Sequence, residues 1–416
     1  MEPFAPFTHD PASEKPEPQA LAIRAKSVVT LAGEDPARGA RLFAPLKKID
    51  NAVLIVRDGM VEEVRAWSAS AAPAGALVRD LGPVCLAPAC VNAHTHLELS
   101  HLAERTRWGK GFTAWLQSLI PLLREAPNPQ AAENACAHMA GTGTLYAGNI
   151  TGSLPGGLLL ADAACRGAGL AVNHFCEWFG FGAPFADGVR PWPPRCRDPL
   201  EEDPFLAARC SPGGHGLYST GPDILRAAKQ DCASMGRIFC FHLAESPDET
   251  QLLTTGDGPL RECYEQAVLP PDWQAPGLRP LAYAFKLGLL DAGTLAVHGT
   301  QLDAQEVEVL AASGAALCMC PRSNRNLGVG VPPVRDLLES GCLLCLGTDG
   351  LTSNRDLDVR QEAVWLRENL DVPPEALVRL MTINGAEALN MLQSGAGRLE
   401  PGSPADFCVL PEALTY

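Results

Sequence analysis

The chain has 416 residues, of which 46% are hydrophobic and 19% charged, and a formal net charge of −15. That apolar share supports a large packed core and excludes a disordered chain. The acidic balance excludes binding to nucleic-acid backbones, which needs a basic face. The length suits a barrel of roughly 250–300 residues plus a smaller second domain.

Residues 1–20 are Pro-rich and polar and read as a loose tail. The opening decapeptide has neither the basic nor the apolar segment of a signal peptide. No run approaches the roughly 18 uninterrupted apolar residues of a membrane span, so a cytoplasmic protein with no membrane partner is expected. The 15 cysteines fall mostly inside apolar runs, as at Cys240, Cys318, Cys320 and Cys345. There a free thiol behaves as a small hydrophobe, in keeping with a reducing compartment. Cys342-Leu-Leu-Cys345 has CxxC spacing but lies within an apolar strand, with no second such pair nearby, and reads as core.

From Leu21 the text turns to short strands at 22–31, 52–57 and 61–64, with Asp58-Gly59 as a hairpin signal. Strand-like text returns at 397–410. Residues 21–83 plus 396–416 are therefore expected to form a small discontinuous β-sandwich domain. Between 84 and 395 apolar strands alternate with helices. Strands are expected at 84–93, 142–150, 170–178, 215–219, 237–243, 294–298, 315–320 and 342–348. Helices are expected at 112–125, 130–140, 156–167, 222–235, 280–288, 303–313, 332–340 and 356–369, with a last one at 374–394. Eight such alternations close into a (β/α)8 TIM-type barrel, an α/β fold. The connections 184–214 and 246–280 read as binding loops or lids.

Chemistry in such a barrel sits where strands end. Strand one ends His94-Thr-His96, and a strand's period of two puts both imidazoles on one face. Strand five ends at His242 with Glu245 beyond it, strand six at His298, and strand eight at Asp349. Imidazoles with one carboxylate suit a divalent metal of zinc or iron type while leaving a position for water. Such a metal brings the pKa of water to about 7, and Glu245 is free to carry protons. Strand four has no lysine to bridge two metals, so one metal is expected.

Asn92-Ala-His-Thr-His96, His242-Leu-Ala-Glu245, Cys320-Pro-Arg-Ser-Asn324, and Gly347-Thr-Asp-Gly350 with Ser353-Asn354 resemble the amidohydrolase superfamily. Within it they are similar to the deaminases of adenine nucleosides. Glu98 and Ser100, Phe112 through Trp115, Glu177-Trp-Phe-Gly180 and Arg325 resemble the aminodeoxyfutalosine deaminases of the alternative menaquinone pathway. The S-adenosylhomocysteine/methylthioadenosine deaminases, which the chain resembles next, typically carry a ribose-binding glutamate before the tryptophan matching Trp115, where this chain has Ala114.

The resemblance implies one divalent metal, zinc with iron as the alternative, on His94, His96, His242 and Asp349. It implies that Glu245 protonates the adenine ring, that Asp349 accepts the proton of water, and that His298 orients the attacking water. His215 then approaches the nucleoside, and Glu98, Glu177, Arg325 and Trp115 are the remaining substrate contacts. The expected reaction is 6-amino-6-deoxyfutalosine to futalosine plus ammonia, by a homodimer with no partner beyond its small-molecule nucleoside. Alternatives are S-adenosylhomocysteine, methylthioadenosine or adenosine deamination, guanine or cytosine deamination, a chlorohydrolase, or an inert barrel used as a scaffold. Arg322 reads as a solvated loop charge, Trp273 as loop packing, His101, His138 and His174 as structural, and Ser323 and Asn324 as turn residues.

Overall fold

The apolar run expected as one strand at 84–93 is divided between two sheets. Ala89 N donates to Asp406 O at 2.9 Å, while Cys90 N donates to Gly143 O at 2.9 Å. The backbone thus changes partners between adjacent residues. Cys85–Pro88 joins a small sheet and Cys90–Thr95 opens a barrel. The structure is a computed structural model describing residues 20–68, 73, 75–182, 191–265 and 268–415. The expected tail, apart from Ala20, lies outside these residues.

The small domain draws on both ends of the chain. Its strands follow the order Phe407–Val409, Cys85–Pro88, Leu21–Val29, Lys48–Arg57, Met60–Ala66, with Leu77–Asp80 also paired to Leu21–Val29. They form a six-stranded sheet. Ile23, Leu54, Val61, Leu86 and Leu399 pack into its buried cluster.

The eight barrel strands are Cys90–Thr95, Thr144–Thr151, Ala171–Trp178, Cys210–Gly214, Phe239–Leu243, Thr294–His298, Ala316–Met319 and Leu343–Leu346. They form two parallel groups of four. His242 N donates to His215 O at 2.8 Å where the groups meet, and Thr348 N donates to His94 O at 3.1 Å on the far side. Alternation along the strands fills the barrel. Val91, Ile150, Phe175, Cys240, Val297 and Cys345 share one buried cluster. Their neighbours Phe241, Ala296 and Leu344 pack in another with helix residues. Burial on both faces makes such strands read as continuous apolar text.

Strand four is corrected from 215–219 to Cys210–Gly214. Its sequence, Cys-Ser-Pro-Gly-Gly, reads locally as a turn. A Cβ on Gly214 would stand 2.3 Å from Leu225 Cδ2, and one on Gly213 would stand 3.2 Å from Cys240 O. Close approach by neighbours requires those glycines, a demand invisible in the chain alone. Connection 184–214 is no bare loop, since it contains helices Pro194–Glu202 and Pro204–Ala207. Connection 246–280 contains Pro247–Thr255 and Pro259–Tyr264. The expected helix 374–394 breaks into Pro374–Leu380 and Ile383–Ala388, with a short turn at Leu392–Ser394. An unexpected helix, Pro321–Leu327, follows strand seven. Among the described residues no helix is long and apolar enough to cross a membrane.

Candidate active site

His94 and His96 leave strand one with their Nε2 atoms 3.2 Å apart. Asp349 Oδ1, from beyond strand eight, lies 3.6 Å from His94 Nε2 and 3.3 Å from His96 Nε2. His242 closes on the same point, its ring centroid 5.0 Å from that of His94. His242 Nδ1 faces His215 O at 2.8 Å, so its proton is spent on that carbonyl and Nε2 is left bare. The set has the shape of a metal cradle. A tetrahedral zinc with bonds of about 2.0–2.1 Å has ligand–ligand edges near 3.3–3.4 Å, and the observed separations scatter around that edge. Bare nitrogens facing each other in a buried cavity repel unless a cation lies between them. The donor set therefore fits a divalent metal.

Electrostatics prepares these groups. Burial lowers the pKa of His94, and those of His96 and His242 fall to about 4, so all three imidazoles are neutral at pH 7. Burial alone would raise the Asp349 pKa, but hydrogen bonding to His94 and the nearby His96 and His298 hold it well below the usual range. Its other oxygen is occupied. Ser323 Oγ and Ser353 Oγ donate to Asp349 Oδ2 at 2.7 and 2.6 Å, which turns Oδ1 toward the histidines.

Glu245 is 4% exposed, and its pKa is driven well above the usual range by burial first, then by Asp349 and Glu249. Its Oε1 lies 3.6 Å from His298 Nε2. The Asn324 amide faces His298 Nδ1 at 3.0 Å. Donation there places the imidazole proton on Nε2, toward Glu245. Ala244, His298 and Asp349 all have positive φ, at 51°, 81° and 58°. Residues with a Cβ seldom hold that conformation, and three of those in this chain gather at the cavity floor.

These groups floor a cavity of about 710 Å³. Its wall is apolar, including Leu99, Phe112, Trp115, Leu116, Ile120 and Val268. Trp115 Nε1 donates to Thr352 O at 2.9 Å, which leaves the indole face to the cavity. His215 lines the cavity with Nδ1 2.5 Å from Ser219 Oγ. Glu177 also lines it, buried, with Oε1 3.4 Å from His242 Nδ1 and without a hydrogen-bond partner among the described residues.

Two expected contacts lie elsewhere. Glu98 accepts from Thr151 Oγ1 at 3.0 Å and Ser153 N at 2.8 Å, so it braces the loop after strand two and lines no part of the cavity. Arg325 is exposed and outside the cavity lining, because the helix at Pro321–Leu327 turns it outward. The cavity's cation among the described residues is Arg195, exposed at the rim, with Nη1 donating to Ser153 O. Arg322 is no solvated charge, since it pairs with both oxygens of Asp356 at 2.9 and 2.8 Å. Trp273 packs under Arg261, whose guanidinium carbon is 5.4 Å from the ring centroid. The thiols of Cys342 and Cys345 donate to Ala315 O and Leu317 O.

Sequence reasoning gave Ser323 and Asn324 only a turn, and passed over the contact of Ser353 with Asp349. Pro321 opening a helix directly after strand seven was the available signal, since proline favours a first helical position.

Comparison with known proteins agrees with this architecture. A 5-methylthioadenosine/S-adenosylhomocysteine deaminase of Nitratidesulfovibrio vulgaris is 29% identical over 381 residues, covering 87% of this chain and 80% of its own. The aminofutalosine deaminase of Helicobacter pylori shares the fold with a TM-score of 0.76 at 19% identity, over 95% of this chain and 93% of that one. An adenosine deaminase of Xanthomonas campestris, solved with bound zinc, gives 0.71 at 22% identity, over 94% and 85%. The amidohydrolase family model matches residues 85–415, which span all eight barrel strands and all the floor residues described above. The chain belongs to the amidohydrolase family.

Proposed function

We propose that this chain is a metal-dependent hydrolase that deaminates an adenine nucleoside. One observation carries the reading: a cradle of neutral imidazoles and an ionised carboxylate shares a floor with the buried, uncoordinated Glu245. His94, His96, His242 and Asp349 would hold one divalent metal, zinc in the first instance, which when bound supplies an acidified water.

The side chains do the rest. Burial raises the Glu245 pKa and so favours its acid form, from which it would give a proton to a ring nitrogen as the ring's amino-bearing carbon is attacked. Asp349 takes a proton from the attacking water and returns it to the departing amine. His298 orients the water through Nε2–H, held in that tautomer by Asn324. His215 and Glu177 meet the nucleoside at the cavity edge, and the face of Trp115 packs along it. Water and the amino nucleoside give the oxo nucleoside and ammonia.

For the tail of the substrate, 6-amino-6-deoxyfutalosine remains the first reading. The apolar, aromatic wall suits its benzoyl ring, and Ala114 leaves out the ribose glutamate of the homocysteine-nucleoside enzymes. Its carboxylate, however, would meet Arg195 and not Arg325. A methylthio tail is the second reading, because the same wall accommodates it with no ion pair. Ammonia release from the zinc-loaded protein on adenosine, methylthioadenosine, S-adenosylhomocysteine and aminodeoxyfutalosine tests both. Release is expected, with kcat/KM ranking the tails; no release from any of them with stoichiometric metal bound overturns the proposal.

A further inference from the structure

We infer that Glu249 is a positioning residue for Glu245, its buried carboxylate gripping the stretch of backbone that aims the Glu245 side chain into the cavity. The inference rests on the reading of Glu245 as the proton carrier. Strand five ends at Leu243, and helix Pro247–Thr255 begins four residues later. The chain makes this turn through Ala244, whose φ of 51° is one that a residue with a Cβ rarely adopts.

Four backbone groups at the turn need partners, and the structure supplies them from two sides. Ala244 N donates to Glu249 Oε1 at 3.2 Å and Glu245 N donates to Glu249 Oε2 at 2.7 Å. On the opposite side Thr300 Oγ1 donates to Glu245 O and lies 3.1 Å from Ala244 O, and Gln301 N donates to Ala244 O at 2.9 Å. Glu249 is itself fixed, with its N–H donating to Ser246 Oγ at 3.1 Å.

Glu249 is fully buried, and among the described residues no lysine or arginine is bonded to it. A carboxylate without a cation is costly inside a protein, and an apolar side chain would fill the space more cheaply. Both of its oxygens are committed to the two N–H groups flanking the Ala244–Glu245 peptide. Holding that peptide is the function that accounts for it.

Glu249→Gln tests the inference. The amide retains one acceptor and turns a donor toward the second N–H, at nearly unchanged volume. The expected result is a fall in kcat of about 10²-fold, the scale of a small misplacement of a catalytic group, with KM and bound metal unchanged. Adding Ala244→Gly should restore about tenfold, because glycine takes the left-handed conformation without restraint. Thr300→Val, which removes the hydroxyl from the other side, should lower kcat in the same way and serves if Glu249→Gln does not fold. A kcat within about threefold of the parent, a KM that rises in step with the fall, loss of metal, or no rescue by Ala244→Gly overturns the inference. Glu245→Gln measured alongside separates the two levels. If that variant turns over normally, the reading of Glu245 fails; if it is dead while Glu249→Gln is unaffected, only the role of Glu249 fails.

Discussion

Asp349 is held by two hydroxyls on one oxygen, and removing either should loosen the metal. Ser353 Oγ and Ser323 Oγ approach Asp349 Oδ2 at 2.6 and 2.7 Å and each other at 2.8 Å. Each hydroxyl has one proton, so Oδ2 receives at most two bonds, both from fully buried serines. A hydrogen bond to a charged group is worth about 1.5–3 kcal/mol. Losing one frees the carboxylate to rotate away from His94 and His96, so Ser353→Ala or Ser323→Ala should weaken metal binding roughly 10- to 100-fold. The serines share one acceptor, so the double variant should depart from additivity by about 0.5–3 kcal/mol. Competition with a chromophoric chelator, alongside thermal melting of the metal-free forms, reads both quantities. Metal affinity within about twofold of the parent for both single variants would refute the idea that these hydroxyls orient Asp349.

Glu245→Gln should keep its metal yet lose about 10²–10⁴ in kcat, since it removes proton capacity and no ligand; loss of metal in that variant would show the roles to be misassigned. Arg325→Ala should leave KM for carboxylate-bearing nucleosides within about twofold, whereas Arg195→Ala should raise it and spare methylthioadenosine; the opposite pattern would return Arg325 to the site. Asp162, on the helix Gly157–Gly167, is 4% exposed and accepts from Arg209 at 2.7 Å and Arg166 at 2.8 Å. Burial alone would raise its pKa, but His174, Arg209 and Arg166 outweigh burial and hold it below the usual range. A depressed folded-state pKa gives stabilisation that is complete above the unfolded value of about 3.9 and fades as pH falls below it. Asp162→Asn should therefore cost about 1–3 kcal/mol at neutral pH and flatten the acid limb of the melting profile; an unchanged melting temperature at pH 7 would count against it.

The floor residues were legible in the chain because each ends an apolar run, and in a parallel barrel every strand end faces the same rim. Strand four was not, since its prolines and glycines answer to neighbours from Leu225 and Cys240. Glu98 and Arg325 were misplaced for a related reason. Both follow a floor motif closely in sequence, but a 3-10 turn at Leu97–Leu102 and the helix at Pro321–Leu327 rotate them away. Local spacing predicts which face of a strand a residue takes and says little once the chain leaves it.

By itself, then, the order of residues determined the barrel and the family and pointed to the four groups proposed to hold a metal, because strand periodicity and strand ends are local properties. Only the tertiary structure decided what supports those groups. Ser323 reaches Asp349 from the helix at Pro321–Leu327 and Ser353 from the turn after strand eight, Asn324 on that same helix sets the tautomer of His298, and Glu249 and Thr300 grip Ala244 and Glu245 from opposite sides. Closure of the barrel brings Ser323, Asn324 and Thr300 to their partners, whereas Ser353 and Glu249 reach theirs across a short turn of chain. His94-Thr-His96 can be read as half a metal site from three letters; what holds its partners in place exists only once the strands have closed.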